Sequence, residues 1–214
     1  MAEIGGILYM DVIMDNKMRF FYLVNKLKEE HTNNRILRAN GTLLLNPGKI
    51  PKAQHILYKP LTTELIDEYL TKSYMNTLPI QYKQFLQYSN GIELFMFKIL
   101  TGKFEFAGSN LTLYGLPRTK PFDRPADMEE PFDIRVEDLR RHDDIPNTWL
   151  KVGTYRLKYE LGGEADIYID CNSQRVFATK RDKCHIEEQW DSFDICLCEL
   201  FHRAQNSHSE YRFK

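Results

Sequence analysis

The residues with the richest chemistry in this sequence gather late in the chain. Asp166 and Asp170 flank the alternating run Ile167, Tyr168, Ile169, and Lys180 follows on the next expected strand. Two carboxylates and an ammonium can hold a divalent cation and stabilise developing negative charge, which is what a metal-dependent hydrolase needs. The same alternation suits a half-buried strand, with the acids on its wet face and at its turn. Cys184 beside His185 sets a thiol next to a base. Adjacent residues on a charged turn rarely point at one another, and no third, orienting residue is signalled. Cys171, Cys184, His185, Cys196, Cys198 and His202 are all metal-ligand types, but no pair has the spacing of the common zinc modules. Gly5-Gly6 and Gly162-Gly163 are lone pairs outside any phosphate-loop context. The basic and aromatic stretch from Lys98 to Phe106 could stack bases. Phe95, Phe97, Phe104 and Phe106 alternate more like core residues, however. His31, His55, His142, His202 and His208 are scattered and suggest no site. These weights favour a chain without enzymatic chemistry, metal or cofactor.

A different pattern lies in the middle of the chain. The totals nearly cancel, with 29 Lys and Arg against 30 Asp and Glu. Residues 1–120 carry 15 basic and 10 acidic side chains, whereas residues 121–170 carry 7 and 13. Within that block Asp123, Asp127, Glu129, Glu130, Asp133, Glu137, Asp138, Asp143 and Asp144 are punctuated by Pro121, Pro125 and Pro131. Long irregular segments in compact domains are uncommon and are often functional. Carboxylates of this kind can cover the basic face that a nuclease presents to phosphates, steering encounter and excluding wrong partners. Met128, Phe132, Ile134 and Leu139 offer apolar anchors between them. The plainer alternative is a solvated acidic loop pinned to the core by those apolar residues.

Several elements must position these groups. Phe20, Leu23, Val24 and Leu27 recur at helical spacing and predict a helix from about Asn16 to His31. Thr42 to Leu45 reads as a short strand or extended segment after the Asn40-Gly41 turn. Helices are expected from Thr62 to Ser73 and from Leu78-Pro79 to Asn90-Gly91. Proline suits a first helical turn, and glycine suits the left-handed exit. Ile92 to Phe97, Lys103 to Phe106 and Leu111 to Tyr114 read as strands, with Gly108-Ser109-Asn110 as a turn. Val136 to Arg141 suggests a helical turn and Trp149 to Val152 a strand. Ala165 to Asp170 and Arg175 to Ala178 form a hairpin. A closing helix, capped by Asp191 or Ser192, buries Phe193, Leu197, Leu200 and Phe201, and the tail after Ala204 is polar and frayed. Helices, then clustered strands, then a closing helix predict an α+β fold. Its mostly antiparallel curved sheet is packed with helices, and a helical N-terminal extension precedes it.

The motif order resembles a known superfamily. Leu78 and Pro79, then Tyr82, Phe85 and Leu86, then Asn90 and Gly91 match its helix signature. Leu113, Tyr114 and Gly115 follow two strands. Trp149, Val152 and Gly153, the run Asp166 to Asp170, and the helix with Phe193 and Leu197 complete the order. This is similar to the SUKH superfamily, which includes yeast cell-wall-synthesis regulators and many bacterial toxin-immunity proteins. The resemblance covers about Leu61 to Ala204. It implies an α+β domain whose curved sheet presents a groove. It also implies stoichiometric neutralisation of a cognate toxin, often a nuclease, from a polymorphic or contact-dependent system. The motif residues it carries over are structural, and it names no partner.

Composition bounds the remainder. Thirteen Phe and twelve Tyr supply a sizeable core. A net charge of −1 argues against nucleic-acid binding through bulk charge. No apolar run approaches a membrane span, and the N-terminus lacks a signal-peptide pattern. Four cysteines confined to the last quarter suggest a reducing, cytoplasmic setting. The expected organisation is an extension at 1–60, a SUKH-like domain at 61–206 and a polar tail at 207–214. The partner expected on this reading is a basic, nuclease-like toxin domain, with no membrane. A regulatory or scaffold protein of the same fold is the first alternative, and a metal-dependent hydrolase is a weaker one.

Overall fold

The computed structural model describes residues 18–48, 54–72, 78–101, 104–116, 145–156, 163–180 and 185–211. Among these residues nine strands run in chain order through one sheet, each antiparallel to the next. They are β1 (Arg35–Leu37), β2 (Leu43–Leu45), β3 (His55–Leu57), β4 (Ile92–Thr101), β5 (Phe104–Leu113), β6 (Trp149–Arg156), β7 (Glu164–Asp170), β8 (Val176–Lys180) and β9 (Ile186–Trp190). Among the described residues four helices accompany them: α1 (Arg19–Glu30), α2 (Thr63–Lys72), α3 (Ile80–Tyr88) and α4 (Phe193–Tyr211). The architecture is α+β with an antiparallel sheet. No described helix is long and apolar enough to cross a membrane. The three strands that precede residue 60 continue the sheet that β4 to β9 build.

The core lies between the helices and one sheet face. Leu111, Leu113, Val152, Ile167, Ile169, Val176 and Ala178 alternate toward it and are buried. Tyr82, Phe85 and Phe193 meet ring to ring, with centroids 5.6 to 6.0 Å apart. Each such burial contributes about 2 kcal/mol. The helix ends are tied to one another as well as capped locally. Gln81 Oε1 accepts the N–H groups of Phe193 and Asp194, and Asp194 Oδ1 accepts that of Phe20. Ser192 Oγ accepts the Ile195 N–H at 3.3 Å, so the cap is Ser192 rather than Asp191. At the far edge Arg203 of α4 pairs with Glu188 of β9, and Tyr155 Oη donates to that same carboxylate.

Several of the motif residues sit at joints of the fold. Tyr82 Oη donates to the carbonyl of Tyr114. Asn90 Nδ2 donates to the Leu116 carbonyl at 2.8 Å, and Asn90 Oδ1 accepts the Leu116 N–H at 2.7 Å. Gly91 takes φ +93°, the left-handed exit expected of it. Gly153 lies under β5, where a Cβ would stand 2.3 Å from the Thr112 carbonyl oxygen.

Three expectations change. The segment Gly108-Ser109-Asn110 is not a turn, because β5 runs through it and pairs with β4 over nearly its whole length. Gly108 serves close approach: a Cβ there would meet the Phe97 ring at 3.1 Å. The ladder is interrupted at Phe95, which adopts φ +54°. Its N–H turns to His55 Nδ1, its ring packs on Phe201, and Asn110 opposite reaches the Ala204 carbonyl. The polar stretch from Ala204 to Tyr211 is also helical rather than frayed. The α4 helix continues to Tyr211, and its polar residues include a buried histidine, His208. Finally, β1, β3 and β9 add strands where the sequence shows no alternation, the first two being three residues long. The expected helical turn at Val136 to Arg141 lies outside the described residues.

Candidate functional site

The face of the sheet turned away from the core carries a polar row. Glu93, Thr112, Thr154, Asp166 and Thr179 are successive cross-strand partners from β4 to β8. Alternation sends them opposite the Leu and Ile residues of the core. Four of the five are buried, Asp166 at 6% exposure and Thr179 at 1%. Lys151 Nζ lies 2.9 Å from Asp166 Oδ2. Asp166 Oδ1 has no hydrogen-bond partner among the described residues, so it is a spare buried acceptor. Beside the row, Trp149 stacks on Phe177 at 4.3 Å and meets Tyr168 at 6.0 Å. On its other flank Tyr58 Oη donates to Glu93, within an apolar cluster of Leu44, Ile56, Tyr58 and Met96. The row and its flanking aromatics form a largely buried polar layer on this face, held in register by the ladder.

The ion pair sets a stability prediction. Removing one member of a buried pair strands the other charge. Lys151→Met is expected to cost about 3 kcal/mol, read as a lower denaturant midpoint. Adding Asp166→Leu to it is expected to recover most of that loss. Unchanged stability of the single variant would show that the pair is solvated.

The hydrolase candidates do not converge. Asp166 and Asp170 stand four residues apart on β7, about 13 Å along the strand. Asp170 closes the hairpin turn, accepting from Ser173 Oγ and from the N–H of Asn172. Burial acts to raise its carboxyl, but these hydrogen bonds outweigh it and hold the carboxyl below the usual range. Lys180 is exposed. No three His, Cys, Asp or Glu among the described residues are grouped to hold a metal. Cys184 lies outside the described residues, as do Asp123, Asp127, Glu129, Glu130, Phe132, Asp133, Glu137, Asp138, Asp143 and Asp144.

The remaining thiols sit in surroundings that suppress their reactivity. Burial pushes the Cys198 thiol up to about 12, helped by the Asp194 carboxylate. Burial drives Cys196 well above its ordinary range and raises Cys171, where the charge of Asp170 adds to the effect. Thiolate is the reactive form. In native protein at pH 8, iodoacetamide is therefore expected to label Cys196 and Cys198 at least about tenfold more slowly than in the unfolded chain. Peptide mass spectrometry reads this, and equal rates would contradict the packing.

Sequence reasoning missed a second polar assembly. Asn34 donates to Asn46, Asn46 to Gln54, and the Gln54 amide meets His208 Nε2 at 3.0 Å. His55, fully buried, accepts the Phe95 N–H through Nδ1, and its ring lies 5.5 Å from that of His31. Gln54 and His208 are 154 positions apart, so no local spacing announces the contact. In this geometry both histidines act as acceptors, which ties the left-handed backbone at Phe95 to the end of α4.

Comparisons with protein-family models, curated proteins and solved structures return no match for this chain.

Proposed function

We propose that this chain is an immunity-type binding protein that neutralises a cognate protein toxin, a basic nuclease-like domain, by stoichiometric occlusion in the cytoplasm. The observation that carries the reading is the ordered motif series from Leu78 to Leu197, whose residues serve as joints of an α+β scaffold. Tyr82 and Asn90 tie α3 to the chain just beyond β5, and Gly153 lets β6 approach β5 closely. A scaffold that spends its distinctive residues on rigidity leaves its polar surfaces for recognition. The acidic segment from Asp123 to Asp144 supplies charge complementary to a phosphate-binding face, and Phe132 supplies an apolar anchor. On this reading the protein carries no catalytic residue, metal or cofactor of its own.

The test is affinity capture from the source cell, with mass spectrometry of what co-purifies. The expected result is a basic C-terminal domain of a large secreted effector, in equimolar amount. Its nuclease activity is expected to return when the complex is dissociated. Turnover of a small molecule or nucleic acid by the purified chain itself would overturn the reading.

A further inference from the structure

We propose that Asn34, Asn46 and Gln54 form an amide relay whose polarity is set by the protonation of His208. A proton taken up by this buried histidine reverses all three amides. It thereby changes what Asn34 offers to solvent from an acceptor to a donor. The proposal is independent of the acidic segment and of the toxin reading.

The direction of each hydrogen bond carries the argument. Asn34 Nδ2 donates to Asn46 Oδ1, and Asn46 Nδ2 donates to Gln54 Oε1 at 2.7 Å. Gln54 Nε2 is then the atom that faces His208 Nε2, at 3.0 Å. An amide nitrogen only donates, so His208 Nε2 accepts and the ring is neutral, with its proton on Nδ1. Asn46, Gln54 and His208 are buried, whereas Asn34 is exposed. The chain of bonds thus runs from the end of α4 to the surface beside β1. Asn34 turns its nitrogen inward, so its oxygen is the atom offered outward.

A proton on His208 Nε2 sets two donors against each other across 3.0 Å. Turning the Gln54 amide removes the conflict, because Gln54 Oε1 then accepts the charged N–H in a stronger, charge-assisted bond. Gln54 Nε2 now faces Asn46 Nδ2, so Asn46 must turn, and Asn34 after it. Every bond survives with donor and acceptor exchanged. Terminal amide torsions are broad and roughly two-fold, so the turn itself costs little. Stopping part-way would leave two buried donors face to face, which costs more than completing the reversal. The backbone stays in place throughout. The Gln54 N–H donates to the Leu45 carbonyl, its carbonyl accepts the Met96 N–H, and the Asn46 N–H donates to the Asn34 carbonyl.

The neighbouring groups differ from His208 in this respect. His55 of β3 and His31, which follows α1, are titratable and lie with their rings 5.5 Å apart. His55 Nδ1 accepts the Phe95 N–H, a backbone donor that cannot turn. The Phe95 ring of β4 lies 4.9 Å from the His55 ring and 5.9 Å from that of His208. From β5 comes the neutral amide of Asn110, bonded to the Ala204 carbonyl. On α4 itself Arg203 is turned to Glu188 of β9 and to Glu199. His208, unlike His55, faces a partner that can reverse.

The test is an NMR titration of the full, nitrogen-labelled chain from about pH 7.5 down to about pH 5, the range in which histidine ordinarily changes charge. At the upper end the His208 ring is expected to carry its proton on Nδ1 alone. As the pH falls it is expected to gain a second on Nε2. The side-chain amide signals of Gln54, Asn46 and Asn34 are expected to shift with that same midpoint. Asn46→Asp fixes the reversed polarity, because a carboxylate can only accept from both neighbours. Asp also tolerates the φ of +52° at this position. In that variant the His208 proton is expected on Nε2 already at the upper end of the range. Four results would each overturn the proposal: a proton on Nε2 in the native chain at the upper end, an Asn34 amide that stays still while His208 titrates, a His208 ring that takes up no proton before the fold is lost, or a His208 tautomer unchanged by Asn46→Asp. The first three are read in the native chain, so they stand even if the variant does not fold.

Discussion

Reversing Glu129, Glu130 and Asp133 to lysine is expected to slow association with the basic partner by about a hundredfold at low ionic strength. Three changes of sign move the local charge by six units, at the most acidic stretch of the sequence. Complementary charge acts mainly through the rate of encounter, whereas short-range packing sets the rate of separation. The dissociation rate is therefore expected to change little in this triple variant. Its association rate should also lose most of its salt dependence, because screening acts only on the charges that steer. Phe132→Ala is expected to act the other way, raising dissociation while leaving encounter intact. Stopped-flow or surface-capture kinetics across a salt series separate the two effects. Wild-type association kinetics in the charge-reversed variant would remove this segment from the interface.

Asn90→Ala is expected to destabilise the fold by about 3 to 4 kcal/mol, a large part of the stability of a domain this size. Asn90 is fully buried and makes two hydrogen bonds to Leu116, itself 2% exposed. Truncation leaves a buried N–H and a buried C=O with no partner, and each costs about 1 to 3 kcal/mol. The neighbouring Gly91→Ala is expected to cost about 1 to 2 kcal/mol, because φ +93° crowds any Cβ. The two losses differ in origin. Asn90 joins the end of α3 to the strand end beyond Leu113, while Gly91 only permits the chain to turn. Equilibrium denaturation checks both, and a loss at Asn90 no larger than at Gly91 would show that the Leu116 clamp is solvated.

Elements whose signals are local were legible in the sequence. Pro79 before α3 and Asn90-Gly91 after it are punctuation that any window of the chain displays. The hairpin of β7 and β8 and the start of α4 were similarly plain. The role of Asn90 was only half legible: a helix stop is local, but the bond to Leu116 spans 26 positions. Gly108 misled for the same reason. Glycine in a strand-rich stretch suggests a turn, and only the Phe97 ring across the ladder shows that it answers a close approach. Strands of three residues, β1 and β3, are too short to show a period. The assembly of Gln54, His55 and His208 was invisible because tertiary packing alone brings those positions together. Of the hydrolase candidates, Asp166 proved to be one end of an ion pair with Lys151, a residue that no motif picked out.

Stoichiometry tests the account most directly. The effector domain that co-purifies would be titrated with this protein, and its nuclease activity followed at each addition. The expected result is a linear fall to zero at one molar equivalent, at a level constant in time and reversible on dissociation. Progressive inactivation by a small fraction of an equivalent would mean that the chain acts by turnover, and full activity at molar excess would mean that it does not occlude the domain at all.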